Sequence, residues 1–414
     1  MKWTDKGCEL DDVAEKVMQN FERNNRKVFL YGAGSIGNDI RLIIERYHIF
    51  GGFIDNNPEK QKKGYQGEKV MSLAQYLQRG ERGWIVVSMT DSMAKEVIKE
   101  LARADLGNGT DFFHYLEFMG RIFPILSFYQ YGLLYVDTVQ ISLTERCTLR
   151  CKKCAHGCHM VPIDSQDMEI EDAHESADKF FATIDWVGEF TLIGGEPFLY
   201  QDLGEVIEYI GERYRSKAAI FSITSNGTII PGQQVLDMCR KYDILVRISN
   251  YSGTLKFLEN RYKRLQEVLE ENHIRYVLGR RETQWMDYGF ETVNHDGEEK
   301  ELIRIFDECG TPCREIRGSK YYYCVMARSV SDNLKLGIGK EDYLDMNKLS
   351  GKKEFFEFNM GYSEKGYLDM CKHCNGKDAM QYPIPAAEQM DINNGISLKV
   401  DRDESISNVF APVS

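Results

Sequence analysis

Cys147, Cys151 and Cys154 stand at C-x3-C-x2-C spacing directly after the apolar run 136–143. Three thiolates on one short loop can hold three irons of a [4Fe–4S] cube, leaving the fourth iron open to a substrate or cosubstrate. The competing chemistry is a structural zinc loop, for which Cys158 or His156 would supply the fourth ligand. Downstream, Thr191-Leu-Ile-Gly194-Gly195-Glu196-Pro197 reads as a strand ending in Gly-Gly-Glu-Pro. Glycines bring backbone carbonyls close to a ligand, and an acidic side chain accepts from an ammonium. The run 220–223 ends in Thr224-Ser225-Asn226, a polar rim suited to ribose hydroxyls or a carboxylate, and the run 245–248 ends in Ser249-Asn250-Tyr251. Each apolar strand thus delivers polar residues at its carboxyl end, where parallel sheets and barrels gather their sites.

The cysteine loop followed by these three strand ends resembles the radical S-adenosylmethionine (SAM) superfamily. The resemblance implies a partial (β/α)6 parallel barrel in an α/β protein. It implies Cys147, Cys151 and Cys154 as cluster ligands and Gly194, Gly195, Glu196 and Pro197 around the amino group of SAM. Thr224, Ser225, Asn226, Ser249 and Tyr251 would line the rest of the cofactor. The residue after the third cysteine is often aromatic in this family and packs near the adenine. Here it is Ala155, which leaves His156 or another side chain to fill that space. The implied chemistry is chelation of SAM by the open iron, one-electron cleavage of its C–S bond, and hydrogen abstraction by a 5′-deoxyadenosyl radical. The protein's part is to place the reacting carbon and exclude competing reactions. A reductase such as flavodoxin or ferredoxin is the implied electron donor.

A second group, Cys309-x3-Cys313-x10-Cys324 and Cys371-x2-Cys374, has Gly318 where a turn between short strands would fall. It resembles the single-cluster twitch extension of radical SAM enzymes, which implies a second [4Fe–4S] cube with no open iron. Cys313, Cys324, Cys371 and Cys374 are its expected ligands, with Cys309 either replacing Cys313 or standing free. A four-cysteine zinc site is the alternative. Two thiols, Cys158 and Cys309, are candidate hydrogen-atom donors to a substrate radical; for Cys158 the alternative is a thiol packed behind the ligands. Cys239, in the helical run 235–242, reads as a core residue. Trp285, Asp287 and Tyr288 follow a short strand, 275–278, and are candidates to line the substrate pocket.

The elements that must position these groups fall into three regions. Residues 1–118 alternate strands (27–31, 52–54, 84–88) with helices (38–48, 93–104), a small parallel α/β unit. Its Gly32-x-Gly34-x-x-Gly37 follows a strand and opens a helix, with Asp55 near where a ribose-binding acid is expected. Either a nucleotide or nucleotide-sugar sits there, or the glycines serve only the turn of a ligand-free accessory fold. Tyr31-Gly-Ala-Gly34, Gly52-Phe-Ile-Asp55-Asn56, Gly67 and Val70 resemble the small Rossmann-like domain fused to enzymes of surface-polysaccharide assembly. The barrel is expected over 119–295, and the second cluster domain with its tail over 296–414.

Composition bounds the rest. The 414 residues carry 64 acidic and 52 basic side chains, a net charge of −12, which speaks against a nucleic-acid partner. The most apolar stretch, 120–136, is broken by Arg121, Pro124 and Gln130 and falls short of the roughly 20 apolar residues of a membrane span. Eleven cysteines are too few for a disulfide scaffold of this length and suit ligands in a reducing cytoplasm. The expected substrate is a sugar, cyclitol or nucleotide-linked sugar that is oxidised, epimerised or dehydrated. Peptide-modifying relatives commonly carry a winged-helix leader-binding domain, and 1–118 does not read as one. Action on a ribosomal precursor peptide is the alternative.

Overall fold

The computed structural model describes residues 1–3, 8–162, 164–295, 299–311, 313–337 and 339–390. Helix α1 (Cys8–Arg23) buries Leu10, Ala14, Val17 and Phe21, one stripe at helical spacing. The α/β unit then runs β1 (Val28–Tyr31), α2 (Ser35–Ile44), β2 (Phe50–Ile54), α3 (Pro58–Lys63), β3 (Val70–Met71), α4 (Leu73–Leu77), β4 (Trp84–Val87), α5 (Asp91–Arg103) and β5 (Phe112–His114). Its five strands are parallel in the order β3-β2-β1-β4-β5. Winding reverses beside β1, so the crevice at its carboxyl end is the place for a ligand. Helix α2 starts at Ser35, three residues before the expected helix, because the glycine turn ends at Gly34.

A short α6 (Tyr115–Glu117) leads through a wide turn into α7 (Phe123–Tyr131), which Gly132 ends in a left-handed conformation, φ 67°. The central region follows: β6 (Tyr135–Thr144), α8 (Ile170–Thr183), β7 (Trp186–Gly194), α9 (Leu203–Tyr214), β8 (Ala218–Ser225), α10 (Gln233–Lys241), β9 (Leu245–Ile248), α11 (Leu258–Glu271) and β10 (Tyr276–Leu278). The last region holds β11 (Gln284–Met286), α12 (Glu299–Glu308), β12 (Arg314–Arg317), β13 (Lys320–Tyr322), α13 (Val325–Leu334), β14 (Tyr343–Asp345), α14 (Lys352–Asn359) and β15 (Pro383–Pro385).

Strands β6 to β10 are parallel and belong to one eight-stranded sheet, β10-β9-β8-β7-β6-β12-β13-β14. Six strand–helix repeats were expected; among the described residues five strands and four crossover helices are found over 135–278. After β10 the chain does not return through a helix but crosses to β11, which pairs antiparallel with β15. The outer edge of β6 is taken instead by β12, in parallel, and β12 to β14 continue antiparallel.

Alternation gives this sheet two unlike faces. Val139, Ile141, Phe190, Leu192, Phe221, Ile223 and Val246 join the core beneath the crossover helices. The opposite face is polar and internally paired. Arg247 binds Glu189 through Nε at 2.6 Å, and Ser222 donates to the same carboxylate. Buried Arg328 pairs with both Glu315 and Glu145. Buried charges need such partners. No helix among the described residues is long and apolar enough to cross a membrane.

Candidate functional site

The carboxyl ends of β6 to β9 converge on a cavity of about 200 Å³. Cys147, Cys151 and Cys154 form one wall, Gly194 and Gly195 a second, and Thr224, Ser225, Asn226, Ser249 and Tyr251 the remainder. The glycines are required by close approach: a Cβ on Gly194 would collide with the Thr144 carbonyl, and one on Gly195 with that of Arg146. The Gly195 and Glu196 amides donate to those same two carbonyls at 2.8 and 2.9 Å, which ties the end of β7 to the cysteine loop. Arg146 is itself held by Asp167 through two bonds of 2.8 and 2.6 Å. The Arg150 guanidinium caps the carbonyls of Cys158, His159 and Val161. None of these arginine contacts was legible in the sequence.

Three N–H groups aim at the sulfurs. The Leu149 amide and the Asn226 carboxamide each lie 3.4 Å from Cys147 Sγ, and Gln389 Nε2 lies 3.2 Å from Cys151 Sγ. This donor set suits anionic sulfur, so the residues fit a cube held by three cysteines. Among the described residues no three His, Cys, Asp or Glu side chains converge on a single ion. A cube takes one cysteine per iron and does not require it. Burial pushes the Cys151 thiol up to about 12 and the Cys147 thiol up as well. Ligation reverses this, since the metal's charge deprotonates a coordinating thiol. Cys154 goes the other way: it accepts a hydrogen bond from Cys158, whose own thiol is thereby held protonated.

Several residues expected at this cavity lie elsewhere. Glu196 is fully buried and does not line the cavity. Its oxygens accept from the Phe198 amide (3.2 Å), the Ser225 hydroxyl (2.9 Å) and the Asn226 amide (2.8 Å), so they lock the ends of β7 and β8 instead of meeting an ammonium. Burial pushes its carboxyl up to about 7. Pro197 starts a short helical turn behind the wall. Cys309 does not reach this cavity. It lines a separate one of about 580 Å³ with Asp137, Thr138 and Glu189, near the opposite ends of β6 and β7. His156 lines the cavity of the cysteine loop, while Ala155 packs among the second cysteine group. Trp285 also lines it, meeting Tyr251 edge-on at 5.3 Å; Asp287 instead pairs with Lys153, and Tyr288 stacks on Phe290.

A search of curated proteins returns no match. Residues 141–282 match the family model described as Radical SAM superfamily. Residues 141–282 are a radical SAM domain. The superfamily comprises enzymes that use SAM and a [4Fe–4S] cluster. Solved structures similar to the chain include native anSMEcpe with bound AdoMet and the Cp18Cys peptide, at 16% identity and TM-score 0.28, covering 34% of this chain and 42% of that one. Streptococcus suis SuiB bound to precursor peptide SuiA is similar at 17% identity and TM-score 0.29, covering 45% and 44%. BtrN in complex with AdoMet and 2-DOIA is similar at 13% identity and TM-score 0.34, covering 58% and 93%. The chain thus spans less than half of anSMEcpe and of SuiB.

Beyond the radical SAM domain, Cys313, Cys324, Cys371 and Cys374 pack around an apolar cluster that includes Phe290, Phe306, Val330 and Met370. Burial raises the Cys324 thiol, and the neighbouring Cys309 and Cys374 raise it further. Burial likewise raises Cys371, with Cys324 and Cys374 adding to it, and pushes Cys374 up to about 12 with a contribution from Cys309. Cys313 is raised by burial, and the thiol that bears on it is Cys309. Cys309 thus bears on Cys313, Cys324 and Cys374, and it and Cys313 are both candidates to complete a set with the other three. The turn carrying Cys371 and Cys374 is anchored by Asp342, which accepts from the Asp369 and Met370 amides at 2.6 and 3.0 Å. Cys239 is a buried core residue of α10.

In the amino-terminal unit, Gly32, Gly34 and Asp55 line a cavity of about 450 Å³, with Lys60 and, from the loop after β10, Arg280. Gly37 does not line it; it packs α2 against the turn, where a Cβ would strike the Gly32 carbonyl. Around Gly34 there is open space. Asp55 is engaged locally by the Ala33 and Asn57 amides, at 2.9 Å each, and by Lys60 at 3.0 Å, while still lining the cavity.

Proposed function

We propose that the chain cleaves SAM reductively at the Cys147–Cys154 loop and takes a hydrogen atom from a hydroxyl-bearing carbon of a sugar or sugar-like ring. The observation that carries this reading is the single cavity in which three cysteine sulfurs face the Gly194–Gly195 strand end and the hydroxyls of Thr224 and Ser249. With SAM and a [4Fe–4S] cube bound, the cofactor supplies a 5′-deoxyadenosyl radical. The chain's own residues do the rest. The glycines would admit the cofactor's polar end, and Thr224 and Ser249 would satisfy its hydroxyl and carboxylate groups, while Ser225 holds Glu196 behind them. Tyr251 and Trp285 close the cavity against water.

A second cube is assigned to Cys324, Cys371 and Cys374 with Cys309 or Cys313 as fourth ligand. A closed cluster there would accept an electron, which favours oxidation to a ketone over epimerisation or dehydration. The amino-terminal unit is proposed as an accessory or substrate-handle domain in the Rossmann-like class. It would hold a nucleotide or nucleotide-sugar at the α2 end without hydride chemistry. Supporting the sugar class are its five parallel strands and its cavity at the Gly32–Gly34 turn, a build unlike a winged-helix leader binder.

The test is anaerobic turnover with SAM, a flavodoxin-type reductant and nucleotide-sugars in deuterated water, with the Cys147/Cys151/Cys154→Ala protein as blank. Oxidation gives a product lighter by two hydrogens without ring deuterium; epimerisation gives unchanged composition plus one carbon-bound deuterium. Modification of a precursor peptide instead of any sugar would move the chain to the peptide class.

A further inference from the structure

The cysteine loop has a partner from the far end of the described chain. Cys151 and Gln389 form an isolated antiparallel bridge. The Met390 amide donates to the Arg150 carbonyl at 2.8 Å, and the Lys152 amide to the Glu388 carbonyl at 2.6 Å. Lys152 and Glu388 also pair through their side chains at 2.8 Å. The strap that brings Gln389 there begins at β15, whose Ile384 lies opposite Trp285 of the cavity wall. It turns at Ala387, which is fully buried with φ 52°, a left-handed conformation uncommon for a non-glycine residue.

Within this strap the Gln389 carboxamide is fully committed. Its Oε1 accepts from the Arg150 amide at 2.8 Å. Its Nε2 donates to the Ala387 carbonyl at 2.7 Å and to Cys151 Sγ at 3.2 Å. The direction of the amide is fixed by chemistry: a backbone N–H can only donate and a backbone carbonyl only accept. Turning the group over would set donor against donor and acceptor against acceptor. The second Nε2 hydrogen must therefore point at the sulfur, which is itself buried.

We infer that Gln389 is a positioning residue for the catalytic cluster, setting its reduction potential through the Cys151 sulfur. The inference rests on the proposed cluster at Cys147, Cys151 and Cys154. Reduction adds negative charge that is shared with the ligand sulfurs, and a fixed N–H donor stabilises the reduced form more than the oxidised one. Gln389 thus raises the potential at which the cluster takes its electron. The strap's cover works in the opposite direction, since excluding water disfavours the more negatively charged reduced form, so the donor on sulfur is what holds the potential up.

Two variants separate this role from mere packing. Gln389→Glu is isosteric and keeps the acceptor for the Arg150 amide, but replaces the donor on sulfur with negative charge. Gln389→Leu fills the space without donor or charge. Both are read in the cluster-loaded full chain by EPR-monitored potentiometry, with iron content measured alongside. The expected result is a shift of the SAM-responsive cluster's midpoint to more negative potential in both, larger for Glu, with the second cluster's midpoint unmoved. An unshifted midpoint in variants with full iron overturns the inference, as does an equal shift of both clusters. If the wild-type protein shows no SAM-responsive cluster signal, the proposed function fails, and this inference with it.

Discussion

Asp137 is a carboxyl group held where it is poorly solvated, beside the 580 Å³ cavity at the amino ends of the strands. Burial pushes it up to about 6; the Tyr135 hydroxyl, 2.8 Å away, and Arg314 oppose the rise, and Glu189 adds to it. The folded protein therefore binds this proton more tightly than the unfolded chain, whose carboxyl sits near 3.8. Stability falls as pH rises through the window between those values and is flat above it. Asp137→Asn keeps an acceptor for Tyr135 and removes the titration. Denaturant melts at pH 5 and pH 7 should show wild type losing about 1 kcal/mol more than the variant over that interval. An identical pH dependence in the two proteins would refute the assignment. The three cysteines and two glycines of the site were legible because their spacing is local. Glu196 was not: its partner Ser225 lies 29 residues away, and nothing local tells whether a carboxylate meets a ligand or a neighbouring strand end.

At the scale of elements, strands with apolar runs announced themselves, and β6 differs from its expected range by one residue at each end. Strand β12 did not, because Arg-Glu-Ile-Arg has no apolar run and takes its place only through the free edge of β6. The strap carrying Gln389 was equally silent, being 238 residues from the cysteine it serves. The short turn Asp369–His373 is an element held from outside by Asp342, a nearly fully buried carboxylate pushed up to about 7 by burial. Asp342→Ala leaves two amides at the start of that turn without acceptors, a cap loss of about 1 kcal/mol on the segment that carries Cys371 and Cys374. If those two hold the second cube, iron in the reconstituted variant should drop from about eight toward about four per chain. The SAM-responsive signal should persist. Retention of all the iron, or loss of both clusters together, would count against it.

Taken whole, the regions that carry the separate motifs share packing. One hydrophobic core runs from Leu10 and Phe21 of α1 through Val28 and Phe53 of the first sheet, Val139 and Phe190 of the second, to Phe355 and Tyr362. Tyr47 meets Phe123 edge-on at 4.9 Å, Arg46 lies 3.4 Å over Trp186, and Phe128 stacks on Phe356 at 4.4 Å. Asp39 of α2 reaches Arg247 at 3.7 Å, extending the Glu189 pair on the polar face. Such contacts join segments distant in sequence, so no local pattern foretells them. Removing residues 1–118 would strip apolar cover from α7 and from the start of β7 at once. A linker-separated domain would lose nothing comparable. The cluster-loaded full chain should therefore unfold in one calorimetric transition, and residues 119–414 expressed alone should aggregate or bind a hydrophobic dye. Two resolved transitions, together with a soluble, iron-loaded 119–414 fragment, would show that the amino-terminal unit is an appendage and not part of the shared core.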